Sequence, residues 1–552
     1  MKTNAIKRIL EIIRFEKKEI SAIYFYAILS GLVQLSLPLG IQSIISFVLG
    51  GSISTSLILL IIFVVFGVFV NGLLQVNQVK IIEKIQQKLF VRYSFLYSHT
   101  IAEINLKSVD SYYLPELVNR FFDTVSLQKG LSKLLLDIPG ASLQILFGLI
   151  LLSFYHPVFI FFGISLIVIL YLILRFSGTK GLQTSIEESN YKYNVAGWLQ
   201  ELARVVTSFK FSRGSNLHLV KTDIQVNGYL TARTRHFKIL VIQYWSLIFF
   251  KVIITASMLI VGSFLLVNEQ LNIGQFIAAE IVILIVMASV EKLIGNLDNV
   301  YDVLTSVEKL AKLTDNPTEV TGEYRDSSFR QGGMSIVVKD LCFGYEPSKL
   351  ILENISFSIK PGEKLCITGE SGSGKSTLLR VLTGSYQPYN GIISIDQVAL
   401  TSHNLSALRS QTGVLLSMQD IFEGTLYENI TMGNQDISTS SIFDIADKIG
   451  LRNFLESEKE GMGLVLDPFG KKLSRKIIQR ILLLRALVHK SRLLLLEDPW
   501  LGLEHEYANK IKEYILKELK EVTVIVCTNE KEFARACDQQ IHLADGKIQS
   551  IN

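Results

Sequence analysis

Residues 365–382 read LCITGESGSGKSTLLRVL, and this stretch decides the fold of the C-terminal part of the chain. An apolar run ends at Thr368, three glycines follow within six residues, and helix-forming sequence begins near Leu378. A glycine-rich loop that ends in Lys375 and Ser376, between a strand and a helix, is the pattern of a phosphate-binding loop. The predicted nucleotide-binding residues of this loop are Gly369, Glu370, Ser371, Gly372, Ser373, Gly374, Lys375, Ser376 and Thr377.

The residue types in this loop suit phosphate chemistry. Glycines let backbone N–H groups wrap around phosphate oxygens, and the N-terminus of the following helix favours negative charge. Lys375 can reach the outer phosphates, and the hydroxyl of Ser376 can bind Mg²⁺. The loop therefore predicts a site for ATP with Mg²⁺.

Strand-like runs surround this loop. From about Ser335 onward, short runs rich in Val, Ile and Leu alternate with helical stretches. The runs are Ser335–Val338, Lys364–Thr368, Gly391–Ile395, Leu493–Leu496 and Thr523–Cys527. Such alternation predicts an α/β domain with a largely parallel sheet, and we expect this domain at residues 335–552.

The composition of the N-terminal part indicates a membrane protein. Of the 552 residues 49% are hydrophobic and 19% charged, whereas soluble domains carry about 25% charged residues. Apolar runs of the length that crosses the hydrocarbon of a bilayer occur six times, at residues 20–48, 53–77, 131–154, 157–176, 240–267 and 274–297. A disordered chain and an ordinary soluble enzyme are disfavoured, and a net charge of +5 gives no reason to expect nucleic acid as a partner.

Charge in the loops predicts the orientation of the six spans. The loops at 78–129 and 175–238 are rich in Lys and Arg. The other connections are short and nearly uncharged: Gly50–Ser52, Tyr155–Pro157 and Val267–Ile273. The positive-inside rule places both long loops in the cytoplasm, and an even number of spans places both termini there too. We therefore expect a multi-pass protein of the inner, cytoplasmic membrane of the cell.

Three further segments complete the predicted organisation. Residues 1–19 carry apolar side chains at helical spacing among basic ones, which is typical of an amphipathic helix on the inner membrane surface. A transmembrane domain of six helices is expected at residues 20–310, followed by a linker at 311–334. Because the two long loops are mostly helix-forming, we expect the membrane helices to continue into the cytoplasm and their tips to contact the C-terminal domain.

Two charged residues, Lys251 and Glu280, interrupt the apolar runs of the fifth and sixth spans. Charges inside a membrane are costly and usually face an interior cavity, so both residues are candidates for a polar substrate path. Alternatively, Lys251 extends toward an interface, or the charges lie near helix ends. The cysteines and histidines show no metal-ligand spacing.

Motifs around the phosphate loop occur in a recognisable order. Leu341-Cys-Phe-Gly-Tyr345 and Pro361-Gly-Glu-Lys364 precede the loop, and Glu428-Asn-Ile430 follows it. This order resembles the ATP-binding cassette (ABC) superfamily, and six spans fused to one such domain resemble an exporter half-transporter. Leu271–Ala278 and Ser306–Leu310 are similar to type-I-secretion and bacteriocin exporters. The resemblance implies that Tyr345 stacks on adenine.

The resemblance also implies hydrolytic residues, and this chain has altered them. The family ends a strand with Asp, which holds Mg²⁺, and then Glu, the general base; here Glu497 and Asp498 stand in swapped order. Glu497 can still reach the metal, whereas Asp498 is one methylene short for a base that needs accurate placement. The family's switch histidine falls on Asn529. The Q-loop glutamine falls on Ser417, with Gln419 two residues later as a possible substitute.

The signature motif departs furthest from the family. Members have Leu-Ser-Gly-Gly-Gln, whereas this chain has LSRKI at Leu473–Ile477. Ser474 is retained, but Arg475 and Lys476 replace the glycines that let a helix N-terminus approach the γ-phosphate held by the partner subunit. Cations oppose the dipole at that end of a helix. They either neutralise phosphate charge or are solvated charges at a decayed site.

Two functions follow from the resemblance. The first is the ATP-binding subunit of an ABC exporter that moves a substrate across the cytoplasmic membrane with weak ATP hydrolysis. The alternative is a non-hydrolytic regulatory or assembly subunit that binds ATP beside a competent partner. In both cases the expected partner in the lipid bilayer is a second half-transporter, in a homodimer or a heterodimer.

Overall fold

A computed structural model of the chain describes residues 2–50, 55–110, 113–212, 214–325, 332–346 and 348–552. These residues form two compact units. The first consists of Met1–Ala102 and Tyr112–Asn316, and the second of Glu103–Ser111 and Pro317–Asn552. Most of the predicted Gly50–Ser52 connection, and residues 326–331 of the predicted linker, lie outside the described residues.

The described part of the first unit is helical. The helices up to residue 314 are α1 Lys2–Phe15, α2 Lys17–Gln34, α3 Ser36–Leu49, α4 Thr55–Glu103, α5 Leu106–Val109, α6 Leu114–Asn119, α7 Asp123–Tyr155, α8 Val158–Arg204, α9 Val206–Lys210, α10 Leu217–Val267, α11 Ile273–Gly295 and α12 Leu297–Thr314. All of these except α5 belong to the first unit.

Six helical segments are long and apolar enough to cross a membrane, which confirms the predicted number of spans. They are Lys17–Leu49, Thr55–Glu103, Leu114–Tyr155, Val158–Arg204, Leu217–Val267 and Ile273–Thr314. The first is divided at Leu35, shortly before Pro38, into α2 and α3. Helix α4 has 49 residues and is about 74 Å long at 1.5 Å per residue, more than twice the ~30 Å of bilayer hydrocarbon. The predicted extension of the helices beyond the spans is therefore confirmed.

Helix α1 has the predicted amphipathic character and packs within the first unit. Ala5 and Ile12 are buried, and the helix contacts α12. Ile6 and Leu10 are about half exposed, at 52% and 57%. Since these two side chains lie one turn apart, an exposed apolar strip runs along the helix.

The second unit contains all the strands of the described residues. They are β1 Ile336–Phe343, β2 Leu352–Ile359, β3 Lys364–Gly369, β4 Asn390–Ile395, β5 Val398–Ala399, β6 Thr412–Leu415, β7 Gly424–Thr425, β8 Val465–Leu466, β9 Leu493–Glu497, β10 Thr523–Cys527, β11 Gln539–Ala544 and β12 Lys547–Ile551. The helices after the first unit are α13 Lys375–Leu382, α14 Leu405–Arg409, α15 Leu426–Thr431, α16 Thr439–Lys448, α17 Arg452–Ser457, α18 Arg475–Leu487, α19 His505–Glu513 and α20 Lys531–Ala536.

The strands form two main sheets. The central sheet has the order β12-β11-β3-β10-β9-β6 and is parallel except between β11 and β12, which confirms the prediction for this sheet. A second sheet, β2-β1-β4-β5, is antiparallel and is not predicted from the sequence. Residues 344–351 join β1 to β2 and are too few for a crossover helix, so these two strands pair antiparallel.

The central sheet is buried on both faces. On β3, Leu365 and Ile367 belong to one apolar cluster, while Cys366 belongs to another on the opposite face. Burial on both faces explains why the strands are continuous apolar runs in the sequence. Since β3, β9 and β10 run parallel, their carboxyl ends meet at one edge of the sheet, where β3 leads into the loop that ends at Lys375.

The segment Glu103–Ser111, at the tip of the first long loop, belongs to the second unit. The amide Nδ2 of Asn105 donates to the backbone oxygen of Gln387 at 3.3 Å, and Lys107 Nζ donates to that of Pro388 at 3.2 Å. The tip of this loop therefore contacts the C-terminal domain, as predicted. Helix α9, at the tip of the second long loop, belongs to the first unit.

Candidate nucleotide site

The predicted phosphate loop lies between β3, which ends at Gly369, and α13, which begins at Lys375. Gly369, Gly372 and Gly374 have φ angles of 150°, 86° and 100°, which side-chain-bearing residues rarely adopt. A Cβ at Gly369 would lie 2.2 Å from the backbone oxygen of Leu543. This backbone path therefore requires glycine.

The polar groups of the loop fit an anion. The hydroxyl of Ser373 is buried and has no hydrogen-bond partner among the described residues. The ammonium of Lys375 donates to the backbone oxygens of Gly369 and Glu370 at 2.6 and 2.8 Å, so it lies over the loop. A buried hydroxyl without a partner is unfavourable unless a ligand or water satisfies it. Together with the helix N-terminus, these groups suit a phosphate.

Glu497, the last residue of β9, lies beside the loop. Its Oε1 accepts a hydrogen bond from Ser376 Oγ at 2.5 Å, and its Oε2 accepts one from the backbone N–H of Ser417 at 2.8 Å. Carboxylate and hydroxyl oxygens are ligands that suit Mg²⁺. The residues that the sequence predicts for the metal, Ser376 and Glu497, are thus next to each other.

Asp498 follows Glu497 in an uncommon conformation. Its φ is 41°, in the left-handed region, and its N–H donates to the backbone oxygen of Cys527 at 2.9 Å. Partial desolvation raises the pKa of the Asp498 carboxyl group, and the charge of Glu497 adds to the rise. A hydrogen bond with Thr528 and the charge of Lys375 act in the opposite direction. A raised pKa suits a proton acceptor, although the side chain keeps the reach of an aspartate.

Asn529, at the position of the family's switch histidine, contacts the phosphate loop. Its Oδ1 accepts a hydrogen bond from the N–H of Gly369 at 3.0 Å. The side chain of Asn529 therefore lies beside the phosphate loop. An amide cannot become a cation, so it offers no positive charge to a phosphate.

The loop after β6 holds Ser417 and Gln419 in different surroundings. Ser417 contributes its backbone N–H to Glu497. The Oε1 of Gln419 accepts from the N–H of Leu416 at 3.1 Å, so this side chain stabilises its own turn. In this structure the Gln419 side chain therefore bonds within its own turn, and its role as a substitute for a glutamine at position 417 stays a prediction.

Tyr345 is held at the end of the phosphate loop. Its hydroxyl lies 3.2 Å from Thr377 Oγ1 and accepts a hydrogen bond from Arg380 Nη1 at 3.2 Å. Its ring packs edge-to-face against Phe343 and Tyr386, with centroids 5.2 and 5.4 Å apart. The sequence pattern does not point to Arg380, although its position one helical turn after Thr377 places it on the same face of α13.

The signature segment caps helix α18. The hydroxyl of Ser474 accepts the N–H of Ile477 at 3.3 Å, and Arg475 is the first helical residue. Arg475 and Lys476 are exposed, and neither forms an ion pair with another described residue. Within the described ranges, no hydrogen bond joins this segment to the phosphate loop of the same chain. The two cations lie at the end of the helix where the dipole is positive.

Lys251 and Glu280 are not brought together. Lys251 Nζ donates to Glu291 Oε2 at 2.5 Å, which links α10 to α11. Glu280 forms no ion pair with any residue that the structure describes, and it is partly buried. The partner of Lys251 is therefore a residue that the sequence reasoning did not single out.

Comparison with known proteins assigns both units. Residues 20–290 match the family described as ABC transporter transmembrane region, and residues 352–500 match the family described as ABC transporter. The alpha-hemolysin translocation ATP-binding protein HlyB of Escherichia coli is 31% identical over 288 residues, which are 52% of this chain and 40% of HlyB. The chain thus spans less than half the length of this relative.

Two further similarities extend over more of the chain. The glutathione/L-cysteine transport system ATP-binding/permease protein CydC of Escherichia coli K12 is 28% identical over 444 residues, 78% of this chain and 76% of CydC. The fold matches a bacterial Atm1-family ABC exporter with ATP bound, at a TM-score of 0.87 and 16% identity over 97% of this chain and 95% of that one. With both family regions present in the expected order, the chain belongs to the ABC transporters and has the fold of an ABC exporter.

Proposed function

We propose that the chain is the ATP-binding half of an ABC exporter that moves a substrate across the cytoplasmic membrane, with both termini in the cytoplasm. One observation carries this proposal: an unaltered phosphate loop is continuous in the same chain with six membrane-crossing helices. A chain of this kind can convert closure of its C-terminal domain into movement of the long helices.

The site residues have separate roles in this proposal. Lys375 and the N–H groups of the loop bind the phosphates, Ser376 and Glu497 hold Mg²⁺, and Tyr345 stacks on the adenine. ATP with Mg²⁺ supplies the phosphoryl group and the metal that neutralises its charge. The packing of Tyr345 against Phe343 and Tyr386 keeps its ring at the end of the loop, where a base can lie.

Hydrolysis at this site is proposed to be weak. Asp498 has the reach of an aspartate where the family has a glutamate, and Asn529 is neutral where the family has a histidine. A misplacement of about 1 Å is enough to lower a rate by roughly 10²-fold. Binding of ATP and its turnover therefore depend on different residues here.

The partner is proposed to be a second half-transporter, in a homodimer or a heterodimer. In the family, the signature segment of one subunit lies against the nucleotide of the other. Arg475 and Lys476 are exposed, so both are available to such a surface. A partner with a complete phosphate loop would still meet an altered signature from this chain.

The proposal is tested by the ATPase rate of the purified chain in lipid, alone and with its co-purifying partner. A slow rate with measurable ATP binding supports an exporter subunit with weak hydrolysis. ATP binding with no turnover in either preparation would favour the alternative, a regulatory or assembly subunit. No ATP binding at all would refute both functions.

Membrane topology is tested by labelling single cysteines with a membrane-impermeant reagent on intact cells. His156, in the short connection before α8, is expected to label from outside when changed to Cys. Ser215, at the tip of the second long loop, is exposed and expected to label only after lysis. The reverse pattern would overturn the proposed orientation, and the unmodified chain controls for its own cysteines.

A polar substrate path is proposed at Glu280 rather than at Lys251. Lys251 is neutralised by Glu291, which favours a structural role in joining two helices. Glu280 lies on α11 among apolar residues, where an unpaired charge is costly unless it faces a polar cavity. Transport by a Glu280→Gln variant, compared with Lys251→Met, would separate the two roles.

A further inference from the structure

Two departures from the family's motifs meet at one side chain. Glu497 stands where the family has Asp, and Ser417 stands where it has Gln. The carboxylate of Glu497 contacts the backbone of Ser417, although the two residues are 80 positions apart in the chain. Its Oε2 accepts the Ser417 N–H at 2.8 Å, while its Oε1 accepts the hydroxyl of Ser376 at 2.5 Å.

The order of the strands brings these residues together. Strand β6 is the neighbour of β9 in the central sheet, and Leu415 pairs with Leu496. Each residue is the last or next-to-last of its strand, so the loop that follows β6 starts beside Glu497. The backbone N–H of Ser417 is therefore presented to the carboxylate by the sheet itself.

The length of the glutamate side chain allows both contacts. Glutamate has one more methylene than aspartate, and a C–C bond is about 1.5 Å long. An aspartate at 497 would move the carboxylate back by about that distance, which is more than a hydrogen bond of 2.8 Å tolerates. The side chain of Gln419 does not replace the contact, because it forms a hydrogen bond within its own turn.

We propose that Glu497 is a positioning residue that ties the loop Leu416–Gln419 to Ser376 at the metal site. Ser376 and Glu497 would hold Mg²⁺ in place of their mutual hydrogen bond, and Oε2 of Glu497 would stay available to the Ser417 N–H. The same carboxylate would thus serve both the metal and the loop. This inference rests on the proposed ATP and Mg²⁺ site.

The test is hydrogen exchange of the peptide that covers residues 416–419, in the full chain in lipid nanodiscs. In the unmodified chain without nucleotide, the Ser417 N–H is expected to exchange at least about tenfold more slowly than in an unstructured peptide. Since Ser417 is exposed, this protection depends on its hydrogen bond to Glu497. Exchange at the unstructured rate would overturn the proposal without any substitution.

Two substitutions at position 497 distinguish the effect of side-chain length from the effect of charge. Glu497→Asp keeps the charge and loses the reach, so the Ser417 N–H is expected to exchange about tenfold faster. Glu497→Gln keeps the reach and loses the charge, so this N–H is expected to stay within about threefold of the unmodified chain. The matched control is Glu353→Asp, which shortens an exposed glutamate paired with Lys547.

ATP affinity with Mg²⁺ and with EDTA gives the second readout. Glu497→Gln is expected to remove most of the gain in affinity that Mg²⁺ provides, while Glu497→Asp keeps it within about threefold. If Glu497→Asp leaves exchange at Ser417 unchanged, or if both variants behave alike in both measurements, Glu497 is not a positioning residue. Failure of the unmodified chain to bind ATP would instead refute the proposed function and leave the exchange comparison valid.

Discussion

The phosphate loop and the signature segment are two turns of the same unit, and each ends at the N-terminus of a helix. Before α13, the N-cap residue is Gly374, which has no side chain to cap the helix. Before α18, the hydroxyl of Ser474 takes up the N–H of Ile477, and two exposed cations follow. The N-terminus of α13 is therefore suited to bind an anion, whereas at the N-terminus of α18 the Ser474 side chain already bonds a backbone N–H.

This difference leads us to expect that binding and turnover are separable within one domain. The groups that bind phosphate are neighbours in sequence and are all retained. The groups that we expect to promote hydrolysis lie at or just after the ends of β9 and β10 and in the signature segment, and most of them differ from the family's motifs. We therefore expect the phosphate contacts of the loop to persist after the second set has changed, with Glu497 as the one residue that belongs to both the metal site and the altered set.

The largest effect is expected from restoring the family's hydrolytic residues together. The combined variant carries Ser417→Gln, Arg475→Gly, Lys476→Gly, Ile477→Gln, Glu497→Asp, Asp498→Glu and Asn529→His. Its ATPase rate at saturating ATP in lipid should rise by about 10²-fold or more, because a well-placed general base alone contributes roughly 10²–10⁴. Each single change should achieve far less, since residues that act as a unit are not additive.

The control for this restoration is the same variant with Lys375→Ala, which should lose the gained activity. The expected separation of binding from turnover would be refuted if the unmodified chain already hydrolysed ATP at about 1 s⁻¹ or faster, a rate ordinary for enzymes. The swapped carboxylates would then be a working arrangement, with Glu497 as the base and Asp498 on the metal.

The next effect concerns ATP binding itself. Lys375→Ala removes a charge-assisted contact worth about 1.5–3 kcal/mol, so ATP should bind roughly 10- to 100-fold more weakly. Isothermal titration of the purified chain measures this change. Lys360→Ala is the matched control, because its side chain is 86% exposed and lies outside the loop. Equal affinities for the two variants would remove the phosphate loop from the site.

A smaller change in affinity should reveal the role of Tyr345. Tyr345→Leu removes the ring and should weaken ATP binding about threefold to tenfold, since an aromatic contact adds about 0.5–1.5 kcal/mol. Tyr345→Phe keeps the ring and loses the contacts with Thr377 and Arg380, so it should bind ATP nearly as the unmodified chain does. If Tyr345→Phe were the more damaging of the two, the hydroxyl rather than stacking would matter.

The smallest effect is expected at the signature segment. Changing Arg475 and Lys476 to Gln should stabilise α18 by about 0.3–1 kcal/mol in total, because cations oppose the dipole at this helix end. Ser474→Ala should act in the opposite direction and cost about 1 kcal/mol, the usual value of an N-cap. Thermal unfolding of the full chain, without ATP and with saturating ATP, measures both. A clear loss of stability in the Gln variant only in the presence of ATP would show that the cations contact phosphate.

The features that the sequence predicted correctly are those encoded by residues close together in the chain. The phosphate loop, the six spans, the long helical extensions and the central parallel sheet follow from residues close in sequence, and the structure contains all of them. Such features are predictable because backbone geometry and burial impose short periods and fixed spacings. The antiparallel sheet of β1, β2, β4 and β5 was not predicted, because the pairing of β1 with β4 joins residues about 50 positions apart, which no local pattern encodes.

By itself, the sequence determined that an unaltered phosphate loop and an altered set of hydrolytic residues stand in one chain with six spans. Only the tertiary structure decided which of these residues touch. The contact of Glu497 with Ser417 depends on β6 lying beside β9, and the pair Lys251–Glu291 depends on α10 packing against α11. Contacts between distant residues are set by strand order and helix packing, which local patterns do not encode.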